Sequence, residues 1–163
     1  MMIKNKNMKI IFLDIDGVLN SEQWYDSSRY RALQKNNFVE ESFDPECWKY
    51  IEKLINETGA KIVLSSSWRL YDKESTIKEY TGTAFQPIID NLYDVTPGMM
   101  ERCRGMEIKR YLMSLSTQPE AYVILDDDRD MLETQLPYFV HIDDKTGITE
   151  KDYNNALKIL NNE

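Results

Sequence analysis

Four short apolar runs recur along the chain, and they are rich in β-branched and aromatic residues. They are Ile10–Leu13, Ile62–Leu64, Tyr122–Leu125 and Tyr138–Ile142. The first three do not alternate polar with apolar side chains, which is typical of strands buried on both faces. The pattern therefore predicts strands that are covered on both sides by other elements.

Helical patterns separate these runs. Asp44 and Pro45 suit an N-cap and a first helical residue, and Gly59 suits a C-cap. Thr149 and Asp152 predict a capping box at the start of the last helix. Three apolar faces have helical spacing: Trp48, Ile51 and Ile55; Ile108, Tyr111, Leu112 and Leu115; and Tyr153, Ala156, Leu157 and Leu160.

The alternation of strands and helices predicts the fold class. We expect an α/β fold, namely a Rossmann-like three-layer sandwich with a mainly parallel central sheet. The length of 163 residues suits a single domain over residues 1–163. The segments 21–43 and 71–98 follow neither period well, so we expect insertions or loops there, near one end of the sheet.

Charge and cysteine content exclude several classes of protein. The formal net charge of −8 argues against a protein that coats nucleic acid or anionic membranes. No apolar run approaches the roughly 18 residues of a membrane span. The two cysteines, Cys47 and Cys103, are too few for a disulfide framework. We therefore expect a cytoplasmic protein with free thiols, no membrane association and no obligate protein partner.

Polar residues follow three of the predicted strands at the point where each strand ends. Asp14 and Asp16 follow the first, the serines of 65–67 follow the second, and the aspartates of 126–130 follow the third. The carboxyl ends of parallel strands meet at one edge of a sheet, where α/β proteins bind ligands. Carboxylates crowded at this edge repel one another unless a cation is present. Mg²⁺ prefers oxygen ligands and sites shared with phosphate, so the pattern predicts a magnesium site.

The chain resembles the haloacid dehalogenase-like (HAD) phosphohydrolases, and more narrowly the compact HAD domain of RNA-repair proteins. The first strand and its aspartates read FLDIDGVLN, and the second strand with its serines reads VLSSSWR. The later stretches RGMEIKRYL, YVILDDD and KTGIT complete the resemblance, which spans residues 9–160. It implies a HAD-like fold with minimal cap insertions.

The resemblance implies a role for each residue of the first two motifs. Asp14 is expected to be the nucleophile that forms an aspartyl-phosphate, and also a metal ligand. Asp16 is expected to be the general acid and then the general base, with its backbone carbonyl on the metal. Ser65 is expected to hydrogen-bond a phosphoryl oxygen, and we group Ser66 with it as a substrate-binding candidate.

Two choices stay open at this point. The basic residue that binds phosphate is either Arg104, which we favour, or Lys109, which lies about 7 Å further along a helix that rises 1.5 Å per residue. The metal ligands of the acidic cluster are expected to be Asp126 and Asp127. Spacing does not decide which aspartate of 126–128 binds directly, and Asp130 is the next candidate.

These features predict a magnesium-dependent phosphohydrolase that cleaves a phosphate monoester. Its expected partner is a phosphorylated small molecule or a nucleic-acid end, with a nucleotide or nucleic-acid phosphate as the substrate that the resemblance favours. A phospho-receiver domain and a non-catalytic binding module are the alternatives. Aromatic and basic residues of the segment 21–43 suit either a surface that stacks nucleobases or a lid that packs on the body.

Overall fold

The strand Lys9–Leu13 (β1) lies in the middle of a five-stranded parallel sheet in the computed structural model, which describes residues 8–35, 43–98 and 102–163. The strands have the order β3-β2-β1-β4-β5. The other four are β2 (Lys61–Leu64), β3 (Leu92–Val95), β4 (Ala121–Asp126) and β5 (Phe139–His141). The predicted parallel sheet and the α/β fold class are confirmed.

Seven α-helices and one 3₁₀ helix connect the strands within the described residues. The α-helices are α1 (Glu22–Asp26), α2 (Ser28–Lys35), α3 (Pro45–Thr58), α4 (Lys73–Tyr80), α5 (Gln86–Asp90), α6 (Arg104–Ser114) and α7 (Glu150–Leu160), and the 3₁₀ helix is Glu133–Tyr138. None of the described helices is long and apolar enough to cross a membrane.

Helices cover both faces of the sheet because the strands are apolar on both. Ile11 and Leu13 of β1 point into one core, which they share with residues of α3 and α7. Ile10 and Phe12 point into a second core, where they meet Ile108 and Tyr111 of α6. This division accounts for the continuous apolar runs, since a strand covered on both sides has no solvent face to make polar.

The predicted helix caps are confirmed. The Asp44 side chain accepts a hydrogen bond from the Glu46 amide at 2.9 Å. Gly59 ends α3 in the left-handed conformation, with a φ of 69°. Thr149 and Asp152 form the capping box of α7, with the Thr149 amide donating to the Asp152 carboxylate at 2.9 Å.

The expectation of loops or insertions throughout 71–98 is wrong for Leu92–Val95, which form the edge strand β3. The segment reads LYDV, and only Leu92 and Val95 are buried. Asp94 is disfavoured in strands, but here it accepts a hydrogen bond from the Tyr111 hydroxyl at 3.0 Å. The partner lies on α6, distant in sequence, so a local pattern does not reveal the strand.

The segment 21–43 contains two short helices, α1 and α2, and its residues 36–42 lie outside the described residues. The amide of Glu22 donates to the Asp144 carbonyl at 3.0 Å, which attaches α1 beyond the end of β5. Trp24 and Tyr30 are buried and meet edge to face at 5.7 Å between ring centroids. Both rings are buried, so neither is available to stack on a nucleobase.

Candidate active site

The register of the parallel sheet brings Asp14, Ser65 and Asp126 side by side. Leu13 of β1 pairs with Leu64 on one side and with Leu125 on the other, and the three polar residues come next in each strand. Backbone bonds extend the ladder, since the Asp14 amide donates to the Leu125 carbonyl at 3.0 Å and the Ser65 amide to the Leu13 carbonyl at 2.9 Å. All three side chains are buried at the carboxyl edge of the sheet.

Asp127 joins Asp14 and Asp126 in a group of carboxylates. One carboxylate oxygen from each of the three lies within 4.8 Å of the others. Burial raises the pKa of Asp14, and the positive charge of Arg104 opposes that rise. Burial also raises the pKa of Asp126, and the nearby charge of Asp14 adds to the rise. The group is thus an electrostatically strained arrangement that a cation would relieve.

Gly17 leaves the space that Asp127 occupies. Its φ is 76°, and a Cβ atom built on it would lie 2.3 Å from Oδ2 of Asp127. A turn holds this backbone, with the Gly17 amide donating to the Asn20 carbonyl at 2.9 Å. The glycine of the DIDG motif is therefore required both by backbone conformation and by the close approach of the third carboxylate.

Arg104 reaches the carboxylates from the first turn of α6. Its Nε lies 3.0 Å from Oδ2 of Asp126 and its Nη2 lies 3.8 Å from Oδ1 of Asp14. The contact with Asp126 is an ion pair without hydrogen-bond geometry, so Oδ2 of Asp126 is buried without a hydrogen-bond partner among the described residues. Lys109 is exposed further along α6. Of the two basic candidates, the structure brings Arg104 to the carboxylates.

Asp16 lies apart from the three carboxylates and is exposed. The indole Nε1 of Trp68 donates a hydrogen bond to its Oδ2 at 2.8 Å. Nδ2 of Asn20 donates to its Oδ1 over a longer distance of 3.4 Å. The side chain therefore stands beside the buried group rather than within it, and a metal contact through its backbone carbonyl stays a prediction.

The two serines after β2 have different surroundings. Ser65 is fully buried, and its Oγ has no hydrogen-bond partner among the described residues. The Ser66 hydroxyl lies near the Asp14 carboxylate, where it opposes the rise in the Asp14 pKa, and it accepts a hydrogen bond from the Trp68 amide at 3.3 Å. Ser66 thus contacts the predicted nucleophile, whereas Ser65 keeps an unused donor at the edge of the sheet.

Asp128 and Asp130 stand outside the carboxylate group. The amide of Asp128 donates to Oδ1 of Asp126 at 3.0 Å, while the Asp128 side chain is exposed. The carboxylate of Asp130 accepts the Arg104 amide at 2.8 Å, at the start of α6. Asp130 therefore caps the helix that carries Arg104, a function that spacing in the sequence does not reveal.

The sequence matches, over residues 10–153, the family described as the HAD domain in Swiss Army Knife RNA repair proteins. The chain belongs to this HAD family. The match confirms the resemblance carried by the motifs, and membership points to a hydrolase. No curated protein and no solved structure matches the chain significantly.

The strand order of this HAD domain separates it from phospho-receivers. The order β3-β2-β1-β4-β5 places the Asp14 strand at the centre, with β2 and β4 on its two sides. Flavodoxin-like sheets, to which receivers belong, have the order 2-1-3-4-5. The topology therefore speaks against the receiver alternative.

A second buried ion pair in the HAD domain was not predicted from the sequence. Nη2 of Arg69 lies 2.6 Å from Oε1 of Glu107, and Nη1 of Arg104 lies 3.5 Å from Oε2 of the same carboxylate. Nη1 of Arg69 also donates to the Ser66 carbonyl at 2.6 Å. Arg69 follows the serines in the SSSWR stretch, which is the signal that could have identified it.

A cleft of about 830 Å³ opens beside Arg104 in the HAD domain. Its lining combines basic, acidic and apolar side chains: Ser67, Arg69, Leu70, Tyr71, Pro97, Gly98, Arg102, Arg104, Glu107, Asp128 and Asp130. Tyr71 is 99% exposed at the rim. Arg104 lines this cleft and also lies within ion-pair distance of Asp14 and Asp126, so one residue connects the cleft to the carboxylates.

Proposed function

We propose that this HAD domain is a magnesium-dependent phosphohydrolase that cleaves a phosphate monoester through an aspartyl-phosphate on Asp14. One observation carries the proposal. The Asp14 carboxylate is buried at the tip of the central strand, among the Asp126 and Asp127 carboxylates and within ion-pair distance of Arg104. Burying several carboxylates together costs stability, and a role in phosphoryl transfer would explain why they are placed there.

The three carboxylates suit a bound Mg²⁺. They offer hard oxygen ligands within 4.8 Å of one another, and Oδ2 of Asp126 is buried without a hydrogen-bond partner among the described residues. Asp14, Asp126 and Asp127 would hold the ion, together with the Asp16 carbonyl that the family resemblance implies. Bound Mg²⁺ supplies charge neutralisation at the phosphoryl oxygens and at the crowded carboxylates.

The protein's own residues account for the two chemical steps. A carboxylate oxygen of Asp14 attacks phosphorus, and the bond from phosphorus to the ester oxygen breaks while Asp16 gives that oxygen a proton. Arg104 and the unused Ser65 hydroxyl bind phosphoryl oxygens during the transfer. Asp16 then takes a proton from water, which attacks phosphorus and releases inorganic phosphate and free Asp14.

We propose a phosphorylated small molecule or a nucleic-acid end as the substrate, with the nucleic-acid end favoured. Two features support that preference. The description of the matching family names RNA repair proteins. The cleft also carries three arginines, Arg69, Arg102 and Arg104, and the exposed ring of Tyr71. Arginines bind phosphates, and aromatic rings stack on nucleobases.

Phosphate release from an aryl phosphate, measured with magnesium and with a chelator, tests the reaction. We expect release only with magnesium, and none from Asp14→Asn, whose amide is nearly isosteric with the carboxylate. Asp90→Asn is the matched control, because Asp90 is exposed at the end of α5 next to the amino end of β3. Full activity of Asp14→Asn, or full activity in chelator, would contradict the proposal.

A substrate screen separates the candidate classes. It compares nucleotides, oligonucleotides with a 3′- or a 5′-phosphate, sugar phosphates and phosphopeptides at equal concentration. We expect the highest kcat/KM with an oligonucleotide end. A sugar phosphate or phosphopeptide that is turned over faster would leave the reaction standing and remove the nucleic-acid assignment.

A further inference from the structure

We infer that Trp68 is a positioning residue that holds Asp16 in place for proton transfer. The inference rests on the proposed function, since it assigns to Asp16 the proton that the leaving oxygen needs. It adds a residue to which neither the motifs nor the family description assigns a role. Three observations support it: the donor contact to Asp16, the anchoring of the Trp68 ring, and the link from the same turn to Asp14.

The contact between Trp68 and Asp16 is short, and its donor and acceptor cannot be exchanged. Nε1 of Trp68 donates to Oδ2 of Asp16 at 2.8 Å. An indole N–H donates and cannot accept, so Oδ2 must remain the acceptor in this pair. That leaves Oδ1, where the contact from Asn20 is long at 3.4 Å, as the less engaged oxygen and the one better placed to reach a leaving group. Trp68 thus selects which oxygen delivers the proton to the leaving group.

The Trp68 ring is fixed by aromatic neighbours from the segment 71–98. Its centroid lies 4.7 Å from that of Phe85 and 5.7 Å from that of Tyr80. Aromatic pairs at these separations stabilise beyond the area they bury. Asp16 is exposed and would otherwise sample several rotamers, so the anchored ring gives a mobile carboxylate one defined position.

The turn after β2 connects both predicted catalytic aspartates. The Ser66 hydroxyl contacts Asp14 and accepts the Trp68 amide, while the Trp68 indole reaches Asp16. One short turn therefore sets the position of the nucleophile relative to that of the acid. Pre-set geometry of this kind lowers the cost of reaching the transition state.

Trp68→Phe tests the inference, because it keeps an aromatic ring in the cluster and removes the donor. Loss of a general acid costs about 10² to 10⁴ in rate, and misplacing that acid should cost a part of this. We expect kcat for an alkyl phosphate to fall about tenfold, with KM changed less than about twofold. Formation of the phospho-enzyme from an activated aryl phosphate should change little, since that leaving group needs no proton.

The double variant Asp16→Asn with Trp68→Phe decides whether Trp68 acts through Asp16. If it does, the double variant should be no slower on the alkyl phosphate than Asp16→Asn alone. Trp48→Phe is the matched control, since Trp48 is a buried tryptophan of α3 that packs on Phe43. It reports what a Trp-to-Phe change costs in stability, and we expect its kcat to equal that of the parent.

An NMR measurement tests the contact without relying on activity. Trp68→Phe identifies the Nε1 proton signal of Trp68, and Asp16→Asn should shift it more than the signals of Trp24 and Trp48. The inference is overturned if the Trp68 signal does not move in Asp16→Asn, or if Trp68→Phe loses the same fraction of its rate on both substrates. It is also overturned if the rate losses of the two single variants multiply in the double variant. If the parent protein releases phosphate while Trp68→Phe matches it on both substrates, only the inference fails. If the parent hydrolyses no phosphate ester, the proposed function fails first and the inference falls with it.

Discussion

The guanidinium of Arg69 lies 2.6 Å from the carboxylate of Glu107, and their side chains are only 10% and 5% exposed. The same carboxylate lies 3.5 Å from Arg104, which in turn meets Asp14 and Asp126. Glu107 therefore links Arg69, in the wall of the cleft, to Arg104, beside the carboxylates. A buried charge of this kind persists because its partners are fixed on both sides.

Glu107→Gln should destabilise the protein strongly. The amide keeps the shape but removes the charge, so Arg69 stays buried without its counter-ion. Removing one partner of a buried pair typically costs about 3 to 5 kcal/mol in the free energy of unfolding. Urea unfolding followed by circular dichroism measures the change. Glu46→Gln is the control, because the pair of Glu46 with Lys49 is largely exposed and its loss should leave the midpoint unchanged. Equal midpoints for both variants would contradict the prediction.

Most of the sheet could be predicted from the sequence because its central strands are covered on both faces. Ile10–Leu13 and Ile62–Leu64 have no polar alternation, and their positions were predicted to within one residue. The edge strand Leu92–Val95 was missed, since half of its side chains face outward or bond to another element. A periodic apolar pattern marks buried positions, so it does not mark a strand that has few buried side chains.

The candidate site was likewise predictable only in part. Asp14, Ser65 and Asp126 were expected together because parallel strands bring their ends to one edge, and the structure places them side by side. Glu107 was missed, since a glutamate on an amphipathic helix is usually solvated, and here its burial depends on Arg69 from a distant turn. Contacts that join separate elements through side chains leave no periodic signal in a sequence.

Gly17→Ala should displace Asp127 as well as strain the backbone. The added Cβ would lie 2.3 Å from the Asp127 carboxylate, and the φ of 76° is unfavourable for alanine. Gly59→Ala is the control, since its φ is 69° and nothing lies within 4 Å of its Cβ position. Backbone strain alone costs about 1 to 2 kcal/mol. We expect Gly59→Ala to lose that amount in urea unfolding, and Gly17→Ala to lose more and also to lose its magnesium response.

The two cysteines should differ sharply in reactivity. Burial, with Asp44 nearby, raises the pKa of Cys47 to about 12, so its thiol stays protonated at pH 8. Cys103 is partly exposed at the start of α6. Since the thiolate is the nucleophile, iodoacetamide at pH 8 should label Cys103 in the folded protein and Cys47 only after unfolding. Mass spectrometry of the peptides measures this, and rapid labelling of Cys47 in the native protein would contradict its burial.

Magnesium should raise the unfolding temperature, and Asp127 should be required for the rise. Asp14, Asp126 and Asp127 are the described residues that form the group of close carboxylates, and a bound cation would relieve their repulsion. A ligand at 100 times its Kd stabilises the folded state by about 2.7 kcal/mol. Asp127→Asn removes one of the three charges, so we expect most of the magnesium-dependent rise to disappear. Asp128→Asn is the matched control, because its side chain is exposed and lies outside the group, and it should keep the full rise. Thermal unfolding in magnesium and in chelator, at one pH and ionic strength, measures both variants against the parent. A parent protein that magnesium does not stabilise would contradict the metal site, and an equal loss in the two variants would show that the ligand among residues 126–128 has been assigned wrongly.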